Sequence, residues 1–159
     1  MAQDAPPFPI LGTQPDTLMQ TLGIVITEAT PERVVATMRV TPAHHQPFGI
    51  LHGGASVALA ETVASYGSTV SIDTARRRAV GLEINANHVR SVTGGTLTAT
   101  GTPLHRGRTT QIWSVEIRDE AGKLVCVSRC TLAIVGVRSG QGDPAGGGRD
   151  EAEGDGRSS

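Results

Sequence analysis

From Gly53 to about Ser71 the chain contains no proline and is built almost entirely of small and apolar residues. Entered from a Pro-Phe-Gly loop, such a run predicts a helix buried nearly all round, on the order of 28 Å long at 1.5 Å per residue. One residue conflicts with that setting. Glu61 places a carboxyl among Val, Ala and Leu, where burial is expensive. The Gly53-Gly54 pair at the entrance leaves backbone N–H groups open to hold a developing negative charge. The segment therefore carries the two halves of an acyl-transfer site, one basic or nucleophilic and one electrophilic.

The residues around this helix predict strands. Val34, Ala36, Met38 and Val40 alternate within Pro31 to Val40, as in a half-buried strand. Four further strand-like runs follow: Ala79 to Arg90, Thr96 to His105, Thr109 to Arg118 and Leu124 to Val137. Asp119 to Lys123 joins the last two as a hairpin. One early helix and a run of antiparallel strands give an α+β fold, a sheet curled round a buried helix. Residues 1–16, rich in Pro and polar groups, predict a flexible arm, and 17–138 a single domain. Residues 139–159 lack any apolar side chain larger than alanine or proline and predict a disordered Gly-rich tail.

Composition excludes several function classes. A net charge of -1 and 3% aromatic residues argue against nucleic-acid binding. No stretch reaches membrane-spanning length and no signal peptide is visible, so no membrane partner and a cytoplasmic setting are expected. Cys126 and Cys130 are four apart in an apolar run, which fits two buried thiols rather than a redox pair. His44 and His45 have no Cys or Asp at metal-ligand spacing, so no metal is expected.

Spacing then constrains the site. Gly53 and Glu61 are eight residues apart, about 12 Å along one helix. A catalytic acid and an oxyanion donor must both lie about 3 Å from one carbonyl. If the two cooperate, they come from two antiparallel copies of the helix, and the catalytic unit is a homodimer with two equivalent sites. Ser65, one turn beyond Glu61, either positions a water or the carboxylate or bonds back to its own helix. His52 and Gln46 supply further donors or serve the loop structurally. His105-Arg106-Gly107-Arg108 forms a tight turn, with Arg90 and Arg129 near other strand ends. Such a turn is either solvated surface or, beside an acyl-transfer site, a holder for a phosphorylated handle such as that of coenzyme A.

Together, Gln46-Pro-Phe-Gly-Ile-Leu-His52-Gly53-Gly54, Leu-Ala-Glu61 and Ser65 resemble the hotdog-fold acyl-CoA thioesterases. The similar branch includes 1,4-dihydroxy-2-naphthoyl-CoA thioesterase, the proofreading thioesterase of enterobactin synthesis and one type of 4-hydroxybenzoyl-CoA thioesterase. The likeness continues through Gly81 to Arg90, Pro103 to Gly107 and Gln111 to Trp113, covering nearly all of residues 18–136. It implies Glu61 as nucleophile or general base, and Gly53 N–H as the group polarising the thioester carbonyl, helped by Gln46 and His52. Ser65 would assist the water, and His88 would line the acyl pocket. Arg106 to Arg108 would meet the nucleotide end of the acyl-CoA substrate.

The resemblance also implies dimers paired into a homotetramer, with no metal or redox cofactor. Glu61, where a phenylacetyl-CoA branch has Asp, favours a hydroxyaryl acyl-CoA over phenylacetyl or aliphatic esters. A hydroxyacyl-thioester dehydratase using His52 with Glu61, and a non-catalytic acyl-CoA sensor, are the rival readings. The link from Tyr66 to Arg78, ending in Arg76-Arg77-Arg78, departs from the family pattern.

Overall fold

The computed structural model describes residues 9–137. In chain order they form α1 (Leu18–Thr21), β1 (Ile24–Ala29), β2 (Val34–Val40), a 3-10 turn (Pro42–His44) and α2 (Gly53–Val70). Strands β3 (Arg77–His88), β4 (Gly95–Arg106), β5 (Thr110–Arg118) and β6 (Leu124–Gly136) follow. The six strands make one antiparallel sheet in the order β1-β2-β4-β5-β6-β3. The sheet curves round α2, which packs against every strand. This is the α+β architecture expected of a hotdog fold.

Period-2 patterning does most of the positioning. Val34, Ala36, Met38 and Val40 of β2 point inward, as do Trp113, Val115 and Ile117 of β5. They meet Leu59, Ala60, Val63 and Ala64 of α2, all fully buried. Burying one such Val or Leu contributes about 1.5–3 kcal/mol. Two glycines let helix and sheet approach closely. A Cβ on Gly67 would overlap the Trp113 ring, and one on Gly101 would lie 2.5 Å from Val63 Cγ1. The Asp119–Lys123 hairpin is closed as expected: Asp119 N–H donates to the Lys123 carbonyl, and Asp119 Oδ1 accepts from the Ala121 and Lys123 amides.

The structure corrects one expectation and adds two features. Strand β1 and the single turn α1 lie in a stretch for which the sequence offered no element. The helix is not buried nearly all round. Val57, Ala58, Glu61, Thr62, Ser65 and Thr69 form a half-open stripe down one side. Finally, the stretch expected as a flexible arm contains a paired residue, since Gly12 exchanges two backbone hydrogen bonds of 2.8 Å with Ile26. The expected tail, 139–159, lies outside the described residues.

Candidate active site

The loop before α2 folds back on itself. Gln46 N–H donates to the Ile50 carbonyl and Gly49 N–H to the Gln46 carbonyl, both at 2.9 Å. Gly49 takes φ +77°, a left-handed turn conformation that favours glycine. Within this loop the Gln46 side-chain oxygen accepts the Phe48 N–H. That contact fixes the amide orientation and leaves its NH2 as the outward donor.

His52 caps the helix. Its Nδ1 accepts the Gly54 N–H at 2.8 Å. A ring nitrogen that accepts carries no proton, so the hydrogen of the neutral ring sits on Nε2, again facing outward as a donor. Ala55 N–H bonds the His52 carbonyl at 3.0 Å. The remaining first-turn amide, Gly53 N–H, has no hydrogen-bond partner among the described residues. The loop and the helix start thus carry three donors with no partner among the described residues: Gln46 Nε2, His52 Nε2 and Gly53 N.

His88, at the end of β3, completes this group. Its Nε2 lies 2.8 Å from where a Gly53 Cβ would stand, so a larger residue there would have to displace the ring. His44 is committed to structure instead. Its Nε2 donates to the Leu22 carbonyl at 3.0 Å, and its Nδ1 accepts from the Thr41 backbone and hydroxyl.

Glu61 lies elsewhere. Its Oε1 is 2.6 Å from the Cβ position of Gly81, where β3 is irregular between Gly81 and Glu83. Beneath it, the Cys130 thiol is pushed up to about 12, first by burial and then by the Glu61 and Glu83 charges. Among the described residues the Glu61 carboxylate takes no hydrogen bond and no ion pair. Ser65 follows one turn later on the same half-open stripe, and its hydroxyl does not bond back to the helix, whereas Thr62 bonds the Ala58 carbonyl at 2.7 Å. Because α2 is one regular helix, the donor cluster and Glu61 of one chain stay about 12 Å apart along its axis.

The proposed nucleotide-binding residues are separate again. Arg90 and His105 are exposed. Arg106 donates to the Pro31 carbonyl at 3.1 Å and faces Glu32 at 3.5 Å. Gly107 is boxed in, with His105 Nε2 at 2.5 Å and the Thr110 carbonyl at 2.9 Å from a Cβ position. The Arg108 carbonyl accepts from Arg77 at 3.5 Å. Sequence reasoning passed over Gly81 and Cys130 as neighbours of Glu61, since neither has a signal until β3 and β6 pair beneath the helix. Cys126 and Cys130 are both buried free thiols. Among the described residues no group of three or more His, Cys, Asp or Glu could hold a metal ion. No helix of the described residues is long and apolar enough to cross a membrane.

Against this geometry the comparisons are direct. The thioesterase superfamily model matches residues 48–126. ComA2 of Bacillus subtilis, a protein named for esterase activity, is 56% identical over 119 residues, 75% of this chain and 94% of that protein. The chain belongs to the thioesterase superfamily. It is also similar to the 1,4-dihydroxy-2-naphthoyl-CoA hydrolase of Listeria monocytogenes, at 48% identity over 74% of this chain and 94% of that one.

Two solved structures of one Staphylococcus aureus thioesterase match this superfamily member with TM-scores of 0.74 and 0.72, at 43% and 44% identity. They cover 76% and 74% of this chain, and 100% and 97% of their own. One carries a glutamate-to-alanine change and the other a glutamine-to-alanine change, at positions fifteen residues apart. Gln46 and Glu61 have the same separation.

Proposed function

We propose that this thioesterase hydrolyses an aromatic, hydroxyaryl acyl-CoA to the free acid and coenzyme A, in sites shared between two copies of the chain. One observation carries the reading: an unpaired, half-exposed carboxylate on α2 lies about 12 Å along the helix axis from Gly53 N at its start, beside the N-cap His52 and the Gln46 loop, too far to act on one carbonyl with them. An antiparallel second helix brings the donors of one chain to Glu61 of the other. The stripe around Glu61 is half-open to receive it. Pairing of such dimers into a tetramer follows the family resemblance.

In this site Gly53 N–H, Gln46 Nε2 and His52 Nε2 polarise the thioester oxygen and stabilise the charge that develops on it. Glu61 of the other chain acts as base, taking a proton from water as the water oxygen bonds to the carbonyl carbon. The C–S bond then breaks and the proton passes to the departing sulfur. Alternatively, Glu61 attacks directly and water resolves the anhydride. Quenching a single turnover into hydroxylamine separates the two, since only direct attack leaves an acyl–Glu61 anhydride that can be trapped as a hydroxamate on Glu61. Ser65 holds the water, and His88 lines the acyl side beside Gly53. Arg90, His105, Arg106, Gly107 and Arg108 form the surface toward the nucleotide end.

Hydroxyaryl specificity is supported by the Listeria relative, whose name gives a hydroxylated naphthoyl-CoA as its substrate. The dehydratase alternative needs a histidine that accepts a proton. The only free lone pair of neutral His52 is already used by the Gly54 N–H, which counts against it. Thiol release across hydroxyaryl, phenylacetyl and aliphatic CoA esters tests the assignment. The highest kcat/KM is expected for a hydroxyaryl ester, and a preference for aliphatic esters by tenfold or so would overturn it.

A further inference from the structure

A glycine inside a strand weakens it, because it has no side chain to pack and more backbone freedom to lose. Strand β3 nevertheless carries Gly81, and backbone conformation does not explain it. Its φ lies outside the left-handed region, unlike that of Gly49 or Gly122. What the missing side chain provides is space. Leaving aside its chain neighbours, the heavy atoms of the described residues within 4 Å of a Gly81 Cβ are Glu61 Oε1 at 2.6 Å and Glu61 Cδ at 3.7 Å. Gly67 and Gly101 differ in kind, since their missing Cβ atoms would meet Trp113 and Val63 in the packed core.

Strand register marks the same place. Gly81 pairs with Leu132 and Glu83 with Thr131, so Leu82 is an extra residue without a register partner on β6. A bulge of this kind bends a strand locally and re-aims what stands beside it. Here it falls where the carboxylate comes down from α2. The Glu61 carboxylate takes no hydrogen bond or ion pair among the described residues, so packing alone limits where it stands.

We propose that Gly81 is a positioning residue for thioester hydrolysis: its missing side chain leaves a notch in β3 that seats the Glu61 carboxylate where it acts. This rests on the reading of Glu61 as base or nucleophile. A methyl group at position 81 cannot coexist with Oε1 at 2.6 Å, a separation below the 3.0 Å that real Cβ atoms keep. Oε1 is the far end of a flexible side chain, so the carboxylate gives way and the strand does not. Ordinary contact starts at 3.4 Å, so Oε1 must retreat by about 0.8 Å, and a misplacement of about 1 Å is enough to slow catalysis on the order of 10²-fold. The notch also selects for length. An aspartate at position 61 is one methylene shorter and stops before reaching it, so Gly81 and Glu61 form a matched pair.

In the full-length protein, Gly81→Ala should lower kcat by roughly 10²-fold with little change in KM. The melting temperature should hold or rise, since alanine suits this backbone and restricts the unfolded chain. A fall in melting temperature with kcat per folded molecule unchanged would make Gly81 structural and overturn the proposal. Glu61→Asp supplies a control that a structural role would not pass. Its shorter acid leaves room for the methyl group, so Gly81→Ala/Glu61→Asp should be no slower than Glu61→Asp alone. If Gly81→Ala slows both backgrounds equally, its effect does not run through the carboxylate and the proposal fails.

A crystal structure of Gly81→Ala gives a reading that does not depend on turnover. The Glu61 carboxylate should be displaced while the β3 backbone keeps its place; an unmoved carboxylate over a shifted strand would overturn the proposal. Glu61→Ala separates the notch from the reading beneath it. If Glu61→Ala abolishes thiol release and Gly81→Ala does not slow it, the thioesterase mechanism stands and the notch falls. If Glu61→Ala keeps near-normal turnover, the role of Glu61 falls and takes the positioning role with it.

Discussion

The two sides of helix α2 differ in kind. One side, through Leu59, Ala60, Val63 and Gly67, is fully packed, closely enough that Gly67 touches the Trp113 ring. The other, through Val57, Ala58, Glu61, Thr62 and Ser65, is half-open, and it carries the unpaired carboxylate. The packed side fixes the rotation of the helix about its axis, and that rotation sets where Glu61 points. Stability and chemistry therefore belong to different residues of one element, and substitutions on the two sides should separate them.

The largest effect is expected on the open side. Glu61→Ala should lower kcat on the order of 10²–10⁴-fold with the melting temperature nearly unchanged. A parallel loss of fold, seen by circular dichroism, would erase the contrast. Mixing Glu61→Ala with a Gln46→Ala/His52→Ala chain sharpens it further. Random heterodimers contain one intact site, so activity should return to about a quarter of the unaltered level. No recovery after verified subunit exchange would place both groups in one chain.

On the packed side the effect should be thermodynamic. Gly67→Ala forces a methyl group into Trp113 and should cost about 1–3 kcal/mol in denaturant unfolding, with kcat per folded molecule little changed. His52→Ala lies between the two cases. Losing the cap should cost about 1 kcal/mol, and losing the Nε2 donor should lower kcat as well. A stability loss without a kinetic one would reduce His52 to its cap.

The smallest effect concerns pH. The Cys130 thiol ionises near 12 when folded against an ordinary 9.0, mainly because it is buried. Between these values the folded chain holds the proton and the unfolded chain does not, so stability should fall as pH rises from 9 towards 12. Cys130→Ala should flatten that slope in melting curves. An unchanged slope would assign alkaline loss to other groups, among them Cys126, whose thiol is also raised by burial.

Much of this was readable in advance. Alternation within Pro31 to Val40 and the proline-free run from Gly53 located the core strand and the helix, the helix to within a residue and the strand with its start three residues early, because a 2.0 or 3.6 period leaves a direct trace in hydropathy. Strand β1 escaped because Ile24-Val25-Ile26 is a short unbroken apolar run, in which outward Val25 looks no different from its inward neighbours. The half-open stripe escaped for a similar reason. Val57 and Ala58 are apolar whether or not the sheet covers them, so composition alone suggested burial all round.

The sequence by itself determined that Gly53 and Glu61 cannot share a carbonyl within one chain, because helical rise depends only on residue count. Tertiary structure alone decided which atoms at that entrance are donors and which side of the helix stays open. Those properties depend on hydrogen-bond partners and packing neighbours, here Phe48 against Gln46, Gly54 against His52 and Trp113 against Gly67, and no periodicity encodes them.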